Sequence, residues 1–181
     1  MTMTSNSDEW RTPEWIWKSW HSTLCFTIDA AATDENKIDP CKDWYTLARS
    51  GLDADWAKSV ESQGGGSVWC HPPYSRKGGP ISRWVEKAIS ESEKGVVSCM
   101  LLPADTSTDW FSLLWDRTAG SWHSGVQGYF TEKLKLLHPE TGKAVGSSAG
   151  SLIAVVSAPL QRLRSEDEED SVPDLIIAQD I

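Results

Sequence analysis

Two stretches of the sequence carry residue types able to do chemistry at the ends of apolar runs. His71-Pro72-Pro73-Tyr74 follows Ser67-Val68-Trp69-Cys70, and Asp29-Ala30-Ala31-Ala32 follows Phe26-Thr27-Ile28. Consecutive prolines forbid both helix and ladder pairing. They make a stiff platform whose carbonyls have no ladder partners and which has an aromatic face beside it. A carboxylate followed by small residues lets a ligand approach the backbone closely and gives it a charge to meet. In open α/β sheets, ligands bind beyond the carboxyl ends of the strands. Just past the double proline, Arg76, Lys77, Arg83 and Lys87 form a basic cluster. It suits either a solvated helix face or contacts to phosphate.

Other patterns are less specific. Lys77-Gly78-Gly79 lacks the spacing and the Lys-Ser/Thr ending of a phosphate loop. Cys25, Cys41, Cys70 and Cys99 show no CxxC spacing, so no metal site is expected and they read as small hydrophobes in a reducing cytosol. His21, His123 and His138 have no spaced partners and read as surface or packing residues.

The chain has 181 residues, the size of one domain, with 17 Lys+Arg against 26 Asp+Glu and a net charge of −9. That balance argues against nucleic acid until its distribution is considered. Seven of the acids lie in residues 165–181, which hold no Lys or Arg, so residues 1–164 carry only −2. The division expected is a body at 1–164 and an acidic, disordered tail at 165–181. The tail can compete for a basic cluster as a mimic of phosphate, or bind a partner. No apolar run of about 18 residues suggests a membrane span, and the N-terminus does not resemble a secretory signal.

These sites need elements to position them. Thr12-Pro13-Glu14 reads as a helix start, with Thr12 as cap and Ile16 and Trp20 on one face. Trp10, Trp15, Trp17 and Trp20 are read as core and helix packing, with Trp10 at the border of a ligand. Strands are expected at 26–28 and 67–70. Residues 33–51 read as turn-rich, with Trp44 and Tyr45 as anchors. A helix follows over 80–93, with Ile81, Trp84, Val85 and Ala88 on one face. Val96 through Leu102 is a nearly continuous apolar run, the mark of a central parallel strand. A helix is expected at 105–117, and strands at 126–137 and 152–158 as a late antiparallel pair. The alternation implies an α/β fold with a mostly parallel sheet.

The ordered set Asp8-Glu9-Trp10-x-Thr12-Pro13, Asp29-Ala30-Ala31-Ala32, Asp55-Trp56 and Pro72-Pro73-Tyr74 resembles the phage-type, Dam-like DNA adenine methyltransferases over residues 8–157. The resemblance implies a Rossmann-like fold, S-adenosyl-L-methionine (SAM) as methyl donor, DNA as substrate and the cytoplasm of a bacterial host. It suggests GATC as a target, with residues 33–66 and 105–150 as the loops available for reading bases. It places Asp8, Glu9, Trp10, Thr12 and Pro13 toward the methionine end of SAM. It sets Asp29, Ala30 and Ala31 at the first-strand cofactor motif, and Asp55 and Trp56 near the cofactor adenine. His71, Pro72, Pro73 and Tyr74 match the catalytic loop. Lys133 and Lys135, with Arg76, Lys77, Arg83 and Lys87, become DNA contacts. Leu136 falls where the family presents an aromatic to the target base.

Adenine's exocyclic amine is conjugated with its ring and is a poor nucleophile. Two acceptors on its hydrogens localise its lone pair, so that the rate comes from positioning and electrostatics. The base must leave the duplex to reach them. In the family, the acceptors are a side-chain oxygen and the first proline's carbonyl. Here His71 stands where the family has Asp, Asn or Ser. Three readings follow: a neutral imidazole accepting through one ring nitrogen, a weakened or inactive relative that keeps SAM or DNA binding, or another amine substrate such as cytosine N4. On the first reading, activity falls as pH drops through about 6.5.

Overall fold

The computed structural model describes residues 11–74, 79–138, 141–146 and 150–159. The strands are β1 (Phe26–Asp29), β2 (Asp43–Trp44), β3 (Ser67–Cys70), β4 (Ser98–Pro103), β5 (Trp115–Asp116), β6 (Ser121–Trp122), β7 (Val126–Thr131), β8 (Lys135–Leu137), β9 (Ala144–Gly146) and β10 (Ser151–Val156). The helices are α1 (Glu14–Leu24), α2 (Trp56–Ser62) and α3 (Ile81–Ser92), with a 3-10 helix at Asp109–Leu113.

Six strands form one sheet in the order β2-β1-β3-β4-β10-β7. β1 through β4 pair in parallel, while β10 runs antiparallel to both β4 and β7. β7 and β10 are therefore the expected late antiparallel pair, and the sheet is mostly parallel. β5 with β6, and β8 with β9, form separate two-stranded ribbons.

Both faces of the sheet are covered. On one face, Ile28, Val68, Met100, Leu102 and Leu152 pack against Trp84, Val85 and Ala88 of α3, Trp56 of α2, and Trp110 and Phe111. On the other, Phe26, Trp69, Cys99, Leu101 and Ile153 pack against Ile16 and Trp17 of α1 and against Leu134 and Leu136. Alternate residues of β4 supply both layers, and Cys99 through Leu102 are wholly buried. A strand buried on both faces is apolar at nearly every position, buried Ser98 apart, which is why 96–102 lacks alternation.

Four sequence expectations change. Thr12 does not cap α1: Pro13 holds the cap position and no side chain caps the helix. Trp15 is 64% exposed and takes no part in the core. Residues 105–117 do not form a long helix. Asp105 accepts from the Ser107 amide and hydroxyl, Thr108 donates back to the Asp105 carbonyl, and Arg117 donates to the carbonyls of Thr106 and Thr108. Such local bonds compete with helical ones, and only the short 3-10 turn remains before Trp115 pairs with Trp122. Finally, 126–137 is not one strand. Phe130 points to the α3 side, and strand alternation would send Leu134 and Leu136 there too. Both are instead buried against α1, so the chain leaves the sheet after Thr131.

Candidate active site

The two candidate strand ends leave the sheet side by side. β1 and β3 are parallel neighbours with Asp29 opposite Trp69, and the Ala30 amide donates to the Trp69 carbonyl at 2.8 Å. Asp29 is buried, and its carboxylate accepts from the amides of Ile38 (3.1 Å) and Ala31 (3.4 Å). Burial raises its pKa to about 7, against the lowering effect of those two amides and of nearby Lys37. Gly51 backs onto this turn. A Cβ there would stand 2.0 Å from the Ala30 carbonyl oxygen, so only glycine fits.

His71 is the first residue past β3. Its Nδ1 lies 2.9 Å from Thr12 Oγ1, and its ring meets Tyr74 edge-on at 5.5 Å between centroids. Burial lowers the imidazole to about 4, so the ring is neutral at physiological pH. Pro72 is buried and Pro73 half-buried. No donor among the described residues reaches the Pro72 carbonyl. Tyr74 is 38% exposed, and its hydroxyl donates to the Leu101 carbonyl at 3.4 Å. Burial pushes the phenol upward, so it stays protonated. The strand end thus offers a neutral ring nitrogen, a free carbonyl and an aromatic face.

Beyond the carboxyl end of β2 lies a cavity of about 200 Å³ lined by Asp34, Asp43, Trp44, Thr46 and Arg49. Arg49 grips Asp43 through two nitrogens (2.5 and 2.9 Å) and lies over the Tyr45 ring at 4.3 Å. The Arg49 hydrogen bond holds the Asp43 carboxyl below its ordinary range. The Trp44 indole donates to Asp34 at 2.9 Å, and Lys37 sits over its ring at 4.9 Å. Sequence reading singled out Trp44 as an anchor but missed the rest, because a two-residue strand gives no periodicity to detect. The run Asp43-Trp44-Tyr45-Thr46, an acid and two aromatics beside a hydroxyl, was the available signal.

The remaining sequence candidates fall in different places. Pro13 is buried at the start of α1. Asp55 caps α2, accepting from the Lys58 amide at 3.2 Å, and pairs with Lys94 at 3.7 Å. Trp56 is wholly buried, and its indole donates to the Gly51 carbonyl at 2.8 Å. Lys87 donates to Glu91 and to the Ala54 carbonyl, which commits its ammonium to the interior. Arg83, Lys133 and Lys135 are exposed. Leu136, the residue at the family's base-stacking position, is 5% exposed and part of the core. Asp8, Glu9, Trp10, Arg76 and Lys77, and the acidic tail, lie outside the described residues. His21 accepts from the Phe26 amide, and His123 Nε2 meets the Ser112 carbonyl, so both serve local packing. Cys41, Cys70 and Cys99 are buried and Cys25 is exposed. Among the described residues, no group of three or more potential metal-binding side chains comes together, and no helix is long and apolar enough to cross a membrane.

The model of the family described as DNA N-6-adenine-methyltransferase (Dam) matches residues 1–169. The chain is also similar to the DNA N-6-adenine-methyltransferase of Escherichia phage T1, with 34% identity over 143 residues. That match takes in 72% of this chain and 54% of the relative, so the chain spans about half the length of the curated relative it matches. With the motifs brought together at two adjacent strand ends and nearly the whole chain matched, this protein belongs to the Dam family of DNA N-6-adenine-methyltransferases.

Proposed function

We propose that the chain transfers a methyl group from SAM to the exocyclic N6 amine of adenine in DNA. The observation that carries this reading is the pairing of β1 with β3. It sets the small-residue turn Asp29-Ala30-Ala31 beside His71-Pro72-Pro73-Tyr74 at one end of the sheet. The strand order, with a single antiparallel strand between two strands of the opposite sense, supports the finer reading of a Rossmann-like methyltransferase fold.

The residues present fit SAM. Gly51 and the alanines keep the β1 turn free of bulk, and the cavity beyond β2 offers Asp43 and Thr46 to hydroxyl groups beside the Trp44 ring. We assign the adenosine end to this cavity rather than to Asp55 and Trp56, because the Trp56 ring is buried and its N–H already bonded. Thr12 and Pro13, with Asp8, Glu9 and Trp10 before them in sequence, would serve the methionine end. When bound, the cofactor supplies an electrophilic methyl carbon on a sulfonium.

The chain's own part is to hold the amine. The Pro72 carbonyl accepts one amine hydrogen and the neutral His71 ring accepts the other, which localises the nitrogen lone pair. Tyr74 stacks on the extruded base, a contact of about 1–3 kcal/mol. Burial keeps the His71 ring neutral, so it does not repel the amine as an imidazolium would. Arg83, Lys133 and Lys135, together with Arg76 and Lys77, would contact phosphate. Their target is DNA in the cytoplasm of a bacterial host.

The test is DNA from cells expressing the wild type and His71→Ala, digested with methylation-sensitive nucleases and analysed as nucleosides. The expected result is N6-methyladenine from the wild type and a large loss with His71→Ala. N4-methylcytosine without methyladenine would move the reaction to another amine. SAM binding with no methylated base at all would leave only a binding module.

A further inference from the structure

We propose that Thr12 is a positioning residue that holds His71 with its ring proton on Nδ1, leaving Nε2 bare as the acceptor for the target amine. This rests on the methyl-transfer reading above and extends it to a residue outside the catalytic loop.

The geometry is a contact of 2.9 Å between Thr12 Oγ1 and His71 Nδ1, made across 59 residues of sequence. A neutral imidazole has one donor nitrogen and one acceptor nitrogen, and a hydroxyl can play either part. Two arrangements are therefore possible. If Thr12 donates, Nδ1 is the acceptor and Nε2 carries the proton, so the ring presents a donor to the site. If Thr12 accepts, Nδ1 carries the proton and Nε2 presents a lone pair. The amine brings hydrogens that need acceptors, so only the second arrangement serves the reaction. The bond made by one ring nitrogen sets the state of the other.

The hydroxyl is held where it can accept from Nδ1, the part the reaction requires of it. Arg11 exchanges both backbone hydrogen bonds with Leu137 (2.9 and 3.0 Å), and buried Pro13 begins α1, so Thr12 is held on both sides. The residue before a proline is further biased to extended backbone. Among the described residues, the titratable group against the ring is Tyr74, which stays protonated. Thr12 is therefore the described side chain that makes a hydrogen bond to His71, a role beyond the helix cap and the cofactor contact expected of it from sequence.

The experiment is nitrogen-15 NMR of the full chain carrying labelled histidine, run on wild type, Thr12→Val and Thr12→Ser beside methyl-transfer kinetics. The wild type is expected to show a protonated Nδ1 and a bare Nε2 at His71. Thr12→Val is expected to shift the ring toward the Nε2–H form. It should lower kcat by about 10- to 100-fold, the size of effect seen when a metal-ligating histidine loses its orienting partner, with a smaller effect on KM. Thr12→Ser is expected to restore both. A wild-type ring with its proton on Nε2, or a tautomer unchanged in Thr12→Val, overturns the proposal. A wild type that transfers no methyl but shows Nδ1–H keeps the Thr12–His71 arrangement and sinks the activity instead.

Discussion

Lys87 and Glu91, one turn apart on α3, meet at 2.6 Å with the carboxylate wholly buried. Glu91 also accepts from Lys94 at 3.0 Å and from the Ala57 amide at 3.1 Å. Burial works to raise its carboxyl, but the two ammonium bonds outweigh it and hold it below the ordinary range. The Ala57 amide is one of the orphan donors in the first turn of α2. Glu91 thus ties the start of α2 to the last turn of α3.

The first prediction follows. Glu91→Ala leaves Lys87 facing the interior without its anion. Breaking a buried pair in this way costs about 3–5 kcal/mol. Urea unfolding is expected to show that loss, with Glu91→Gln less affected because its amide oxygen can still accept from Ala57.

Gly128 on β7 supplies a second. A Cβ at this position would stand 2.1 Å from the Trp122 ring. Gly128→Ala is expected to cost about 1–3 kcal/mol through overpacking. Trp122→Leu in the same chain should return part of it, so a double-mutant cycle read by thermal melting will show coupling between the two.

The third concerns pH. His71 has a folded value near 4 against an ordinary 6.5, so between these the unfolded chain binds a proton that the folded chain does not. Its contribution to stability therefore grows as pH rises from 4 to 6.5 and is lost as pH falls. Asp29 has a folded value near 7 against an ordinary 3.8, so its folded form holds the extra proton and its contribution shrinks as pH rises across that window. The two slopes oppose. Relative to wild type, His71→Gln is expected to lose stability with rising pH, and Asp29→Asn to gain it, in unfolding midpoints taken from pH 4 to 7. Methyl transfer is expected to hold level through 6.5 and to fall only toward 4. From the sequence alone, with the ordinary imidazole value, the fall was expected through about 6.5.

DNA binding gives the fourth. Each lysine that contacts a phosphate steepens the salt dependence of binding by about one unit of slope. Lys133→Ala and Lys135→Ala are each expected to flatten it by about that amount in fluorescence titrations, whereas Lys87→Met leaves it unchanged and lowers stability instead. Deleting residues 165–181 is expected to tighten DNA binding at about 50 mM salt. Equal affinities with and without the tail would rule out competition with phosphate.

Much of this organisation was legible in the sequence, for physical reasons that differ by element. β4 was readable because a strand buried on both faces cannot alternate, and α3 because its apolar positions share one face. The strand-end motifs were readable because proline and small residues restrict the backbone locally. β2 was not, since two residues carry no period. Leu136 looked like a site residue because its environment depends on where the chain leaves the sheet after Thr131. Thr12 looked like a cap because a helix start is a local pattern, while its bond to His71 joins two distant segments. Contacts of that kind have no sequence signature.

The position of β10 bears on how the molecule is made. β10 is the last described strand in the chain, yet it lies inside the sheet, between β4 and the edge strand β7. After β4 leaves the ribosome, about 50 further residues must follow before its partner exists, some 3–10 s at ordinary synthesis rates of about 5–20 residues per second. Until then β4 presents an unpaired edge flanked by Met100, Leu101 and Leu102, all destined for complete burial. Such an edge can pair with other chains. The nascent protein is therefore most vulnerable to aggregation late in translation, after the His71-Pro72-Pro73-Tyr74 loop has been made and before the sheet can close.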